Sequence, residues 1–161
     1  SCAALHADSW APAFDITVLY DGTAYSRSID SSGTLRSSAG ASARIELLTV
    51  TIGRHRVAMP LSIAVLSQSS AEGRTMIQPR SAVRLGVEYG FSISSLLSLS
   101  ASVDTVYEYF LRSDAGHWLI GTTVTPEFST GSIVSVTVPL SLSFGKGTFS
   151  FTLGAGARIR L

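Results

Sequence analysis

Ile133-Val134-Ser135-Val136-Thr137-Val138-Pro139-Leu140-Ser141-Leu142-Ser143-Phe144 sets Val134, Val136, Val138, Leu140, Leu142 and Phe144 on one face of an extended chain and Ser135, Thr137, Ser141 and Ser143 on the other. A period of two is the spacing of a β-strand with one apolar and one polar side. What singles this stretch out is the chemistry of its polar face. A soluble sheet would carry Lys and Glu there, whereas small hydroxyls suit the narrow, filled interior of a barrel. The apolar face must then look outward, into lipid.

Seven more segments repeat the pattern. The first covers about 13–21, with Phe14, Ile16, Val18 and Tyr20 against Asp15, Thr17 and Asp21. The second, about 38–51, sets Ala39, Ala41, Ala43, Ile45 and Leu47 against Ser38, Gly40, Ser42, Arg44 and Glu46. Further strands are read at about 57–67, 80–93, 97–111, 118–128 and 148–161, the seventh being 133–144 itself. Each is near or above the roughly 9–11 residues that cross a bilayer as a tilted strand. The expected fold is all-β: an eight-stranded antiparallel up-and-down transmembrane β-barrel.

Composition agrees. The 161 residues suit one domain, and 14% are charged, against roughly 25% in soluble globular proteins. Mean hydropathy is +0.34, yet Ser, Thr, Gly or a charge interrupts every apolar run before the roughly 18 residues of a membrane helix. A closed barrel is the other way to satisfy every backbone group in lipid. The net charge is +1, and Arg54-His55-Arg56 is the longest basic run, so nucleic acid is not an expected partner. One cysteine, Cys2, permits no internal disulfide and no Cys-based metal site; no cofactor is expected. Residues 1–7 read as the remnant of an export signal with cleavage after Ala7, or Cys2 as a lipid-modified residue. Residues 8–161 form the barrel domain.

The polar face carries charges of both signs: Asp15, Glu46, Glu88, Asp104, Glu108 and Glu127, with Arg44, Arg84, Arg158 and Arg160. Charges inside a barrel must pair, and the strand registers suggest Arg84 beside Asp104 and Arg158 or Arg160 beside Asp15. The alternative use of the arginines is to select anions in a pore. Aromatic residues gather at strand ends, as in the girdles of membrane barrels. Phe14, Tyr89, Phe91 and Phe128 mark one rim, and Tyr20, Tyr107, Tyr109, Trp118, Phe144, Phe149 and Phe151 the other.

Short turns are expected at 53–56, 94–95 and 129–132, on the periplasmic side with both termini. Longer outward connections are expected at 22–37, 68–79 and 112–117, and a very short one at 145–147. Pro60 and Pro139 each remove a ladder donor, so a bulge is expected at each.

With eight alternating strands, two girdles, a Gly-rich last strand and an apolar last residue, the chain resembles the small outer-membrane barrels of the OmpW, OmpX and OmpA-domain type over nearly all of 13–161. The resemblance implies membrane lipid as partner and recognition of the last strand, ending Arg158-Ile159-Arg160-Leu161, by the outer-membrane assembly machinery. Such barrels usually end in Phe or Trp; a Leu-ended, Ser-rich barrel resembles those of spirochaetes.

Function is open at this level, because one fold serves many roles. A narrow channel for small solutes and a closed structural or surface-interaction barrel are the leading readings, with no catalytic residues assigned and no loop ligand named. A lipid-modifying enzyme would need a nucleophile, base and carboxylate together. The histidines are His6, His55 and His117; only His117, near Ser113 and Asp114, has such neighbours in sequence, and beside Trp118 it reads as an interface anchor. A soluble lipocalin-like carrier would place the apolar face inside, and the sparse Lys argues against it.

Overall fold

Each strand borrows its backbone partners from both neighbours, and the series closes on itself. In the computed structural model the described residues are 16–20, 26–30, 35–70, 78–111, 114–131, 133–145 and 147–160. They form β1 (Ile16–Tyr20), β2 (Ser26–Asp30), β3 (Leu35–Ile52), β4 (His55–Ser70), β5 (Gln78–Ser92), β6 (Leu97–Phe110), β7 (Ala115–Ser129), β8 (Val134–Thr137), β9 (Leu140–Gly145), β10 (Thr148–Leu153) and β11 (Gly156–Arg160).

These eleven segments make eight barrel strands. β1 and β2 lie in line, because both pair with β3 while β1 also pairs with β11 and β2 with β10. β8 and β9 share β7 as neighbour, and β11 and β10 lie on their other side. All pairings are antiparallel, and the pairing of the first strand with the last closes the sheet.

The faces divide as the alternation demands. Val83, Leu85, Val87 and Tyr89 on β5, and Val103 on β6, are exposed on the outer surface, while Glu88, Asp104 and Glu108 point inward and are buried. An outer surface of aliphatic side chains has no stable place in water over such an area. The soluble-carrier reading is not favoured: its apolar face would be inside.

Several boundaries differ from those read in the sequence. The segment 22–37 is not all loop: β2 lies within it and β3 begins at Leu35. Ser26-Arg27-Ser28-Ile29-Asp30 has one apolar residue and so no visible period; ladder bonds on both sides make it a strand. The turn at 53–56 shrinks to Gly53-Arg54, with Ile52 opposite His55. Gly53 supplies the positive φ, 61°, that so short a hairpin needs. The connection at 112–117 shortens because Ala115 and Gly116 pair with Phe110 and Tyr109, and Asp114 takes a left-handed conformation (φ 50°) tolerated by Asp.

The two prolines behave differently. Opposite Pro60 the register slips between Glu46 and Leu48. The bulge moves the outer face of β3 from Leu47, where the alternation predicts it, to Leu48, which is 40% exposed. At Pro139 there is an interruption without a slip: β8 and β9 keep one register against β7 and another against the last strand. The Gly154 N–H donates to the Pro139 carbonyl across the gap, at 2.9 Å. Pro139 and Gly154 divide the seventh and eighth strands, and no bulge forms there.

Candidate functional site: the barrel lumen

The inward face is arranged in tiers from the end of the short turns to the end of the longer connections. Nearest the turns lies an ionic layer. Arg44 on β3 reaches past β4 to Glu88 on β5, its Nη1 and Nη2 donating to the two carboxylate oxygens at 2.7 Å each. Nη2 also donates to Glu46 at 3.0 Å. Arg56, one strand over, pairs with Glu46 and donates to Glu88 at 3.1 Å. Thr49 donates at 3.0 Å to the same Glu46 oxygen that meets Arg56, and Arg158 on β11 pairs with Glu127 on β7. Each carboxylate meets at least one guanidinium, which is what allows ions of both signs to stay buried. The bidentate geometry is the strongest form of that pairing.

Beside this layer, open toward the turns, is a cavity of about 210 Å³, large enough to hold water. Glu46, Arg56, Glu88, Glu127 and Arg158 line it together with Ser92, Ser98 and Ser100.

Toward the other end the wall formed by β4 to β7 turns apolar on its inner side. Ala64, Ala82, Val106 and Leu119 form a buried cluster with Leu66 packed on it. Val106 is 4% exposed and Leu119 9%, and no member of this collar lines the cavity. Beyond it Glu108 lies 3.6 Å from His117 Nε2, and His117 stacks on Phe110 with ring centroids 5.3 Å apart.

The expected lumen charges therefore fall as follows. Arg44, Glu46, Glu88, Glu127 and Arg158 share the ionic layer, while Asp104 and Glu108 are buried further along. Arg84 does not pair with Asp104 as the sequence suggested. Arg84 is opposite Val106, and Asp104 is opposite Gly86, where it accepts the Ser102 hydroxyl at 2.8 Å. Arg84 Nε is buried without a hydrogen-bond partner. Asp15 lies outside the described residues, and of Arg160 only the backbone, paired with Thr17, is described.

Two features escaped the sequence reading. Arg56 looked like part of a basic turn, but with the turn reduced to Gly53-Arg54 it falls on the inward face of β4. Val106 and Leu119 interrupt the polar face and look like noise in the alternation; they are the collar.

On the outer surface, Tyr89 and Phe91 flank His55 near the turns, with His55 Nδ1 2.6 Å from the Tyr89 hydroxyl and ring centroids 5.1 Å from Phe91. Phe128 lies at the same end, opposite Leu97. At the far end Tyr107 packs on Trp118 at 4.9 Å and Phe144 on Phe149 at 5.1 Å. The Tyr109 hydroxyl donates to Asp114, and Phe151 is exposed opposite Leu142. Phe14 lies outside the described residues, and the backbone of Tyr20 pairs with Ala157. His55 is in strand β4, not in a turn.

No protein family and no curated protein sequence matches the chain. Solved structures do. The attachment invasion locus protein Ail of Yersinia pestis, solved in complex with the heparin analogue sucrose octasulfate, superposes with a TM-score of 0.55 at 13% identity, covering 91% of this chain and 97% of that one. Neisserial surface protein A gives 0.53 at 14% identity, covering 96% of this chain and 100% of that one. The chain thus has the fold of the small outer-membrane β-barrels, a fold whose surroundings are membrane lipid.

Proposed function

We propose that this chain is a non-enzymatic barrel of the bacterial outer membrane with a sealed lumen, serving as an anchor that holds its loop-end surface outside the cell rather than as a solute channel. The observation that carries this reading is the succession of two inward tiers, the paired charges around Arg44 and Glu88 and then the apolar cluster of Val106 and Leu119 on one wall. Paired charges offer no free carrier site, and an apolar constriction dewets. The placement of the histidines supports the non-enzymatic part: His55 contacts lipid-facing rings, while His117 meets Glu108 and Phe110, and Asp114 engages Tyr109 instead. Surface interaction, as the names of Ail and Neisserial surface protein A suggest for those proteins, is carried over as an analogy of fold. Delivery to the assembly machinery through the last strand belongs to the same proposal.

The test is single-channel recording from the refolded protein in a planar bilayer, after heat-modifiable gel mobility has shown that it is folded. A silent membrane is the expected result. Discrete conductance steps from the unaltered chain would overturn the sealed-lumen reading and favour the channel.

A further inference from the structure

The turn end of the barrel carries an apolar rim that the lumen does not use. Three hairpins turn there, and each presents an exposed aliphatic side chain: Ile52 beside Gly53 is 70% exposed, Ile93 and Leu96 are 47% and 65%, and Ile133 is 56%. Tips of hairpins in water are ordinarily polar and rich in Gly, Asn, Asp and Ser. A single exposed Leu would mean nothing, but here every hairpin of one end has one.

The tips are held in place, so the exposure is not that of frayed chain. Ser94 Oγ accepts the N–H groups of Leu96 and Leu97 at 3.2 and 3.1 Å, and the Leu96 carbonyl accepts the Ser129 N–H at 2.8 Å, tying two of the hairpins together. The rim is also continuous with the lipid-facing belt. Ile52 follows Val50 on the outer face of β3, and Ile93 lies two residues beyond Phe91.

We infer that this rim is embedded in the bilayer: the three hairpin tips lie in the interfacial and upper acyl region of the leaflet, beyond the Tyr89–Phe91 girdle, instead of standing free in water. Its occupant is lipid because the rim extends a surface already in lipid and these four side chains are aliphatic; Arg54, exposed at the tip beside Ile52, is long enough to keep its charge at headgroup level. The inference rests on the membrane-spanning reading of the barrel. One consequence is that the mouth of the 210 Å³ cavity opens at headgroup level.

Single cysteines at Leu96, Ile133, Val103 and Asp114, in a Cys2→Ser background, would each carry an environment-sensitive fluorophore. Each variant is checked for heat-modifiable mobility after folding into phosphatidylcholine vesicles with plain or brominated acyl chains. Bromine should quench the probes at 96 and 133 well above the one at 114, the loop tip, and toward the value at 103 in the middle of the belt. Quenching at 103 with none above the loop-tip level at 96 and 133 overturns the inference alone, and assigns the rim to water or a protein partner. No quenching at 103 overturns the spanning reading as well. As a second readout, Leu96→Lys with Ile133→Lys should shift the remaining Ile52→Cys probe toward water; an unchanged signal counts against an embedded rim.

Discussion

Arg44 and Glu88 stand on strands that do not touch, yet their side chains close a two-pronged contact over the intervening β4, 2.7 Å at each prong. Both are nearly inaccessible, 6% and 5% exposed. Removing one partner leaves the other charge buried without its main counter-ion, a loss of about 3–5 kcal/mol. Glu88→Ala is therefore expected to lower unfolding stability in detergent micelles by that amount, since Arg56 also loses its bond to Glu88. Arg44→Met combined with Glu88→Leu should restore much of the loss, because the Arg56–Glu46 pair survives intact. Denaturant titration of the single and double variants checks both statements; equal loss in the two would mean that packing rather than charge governs this tier.

The collar makes a separate prediction about permeation. Replacing both Val106 and Leu119 by serine should wet the apolar tier but leave the ionic layer closed. Val106→Ser/Leu119→Ser combined with Glu88→Ala is therefore expected to give discrete conductance steps where the parent and each change alone are silent. Planar-bilayer recording distinguishes them, and conductance in Glu88→Ala but not in the collar variant would transfer the seal to the ionic layer.

The faces of the long strands were legible in the sequence, since a period of two survives wherever each residue is committed to lipid or lumen. The β4–β7 strands follow the alternation closely. Three things were not legible. Ser26–Asp30 has too few apolar residues to show a period, and only its two neighbours make it a strand. The bulge opposite Pro60 reverses the outward order after Glu46, which the apolar pair Leu47-Leu48 conceals. Partners within the lumen depend on tilt and side-chain reach. Adjacent-strand pairing suggested Arg84 with Asp104, whereas long side chains couple Arg44 to Glu88 two strands away.

Gly86 reports on the tightness of the wall. A Cβ there would strike the Asp104 carboxylate and the Val103 carbonyl, so strands β5 and β6 can close only over a glycine. Gly86→Ala should cost about 1–3 kcal/mol by overpacking, whereas Gly131→Ala, with open space around the new methyl, should stay within about 0.5 kcal/mol. Unfolding midpoints of the two variants in the same micelle make the comparison, and equal effects would show that the Gly86 contact relaxes without strain.

The outward face can be probed at its centre by charge. Val103 is 61% exposed, opposite Val87 on β5 and Thr122 on β7, at mid-strand between the Phe91 and Trp118 ends of the belt. An arginine placed there must hold its guanidinium in hydrocarbon or bend it along the wall toward a distant interface. Such substitutions at mid-bilayer cost about 2–4 kcal/mol, and the cost fades toward the interfaces. Ala115, exposed at the loop end of β7, imposes no such burden. Val103→Arg is thus expected to lower both the refolding yield into vesicles and the denaturant midpoint, with Ala115→Arg close to the parent in both. The contrast should vanish in urea-unfolded chains assayed without lipid, because it arises from transfer into the bilayer. Equal tolerance at the two sites in vesicles would mean that Val103 does not face hydrocarbon, and the inside-out assignment of every strand would have to be reversed with it, since one register fixes them all.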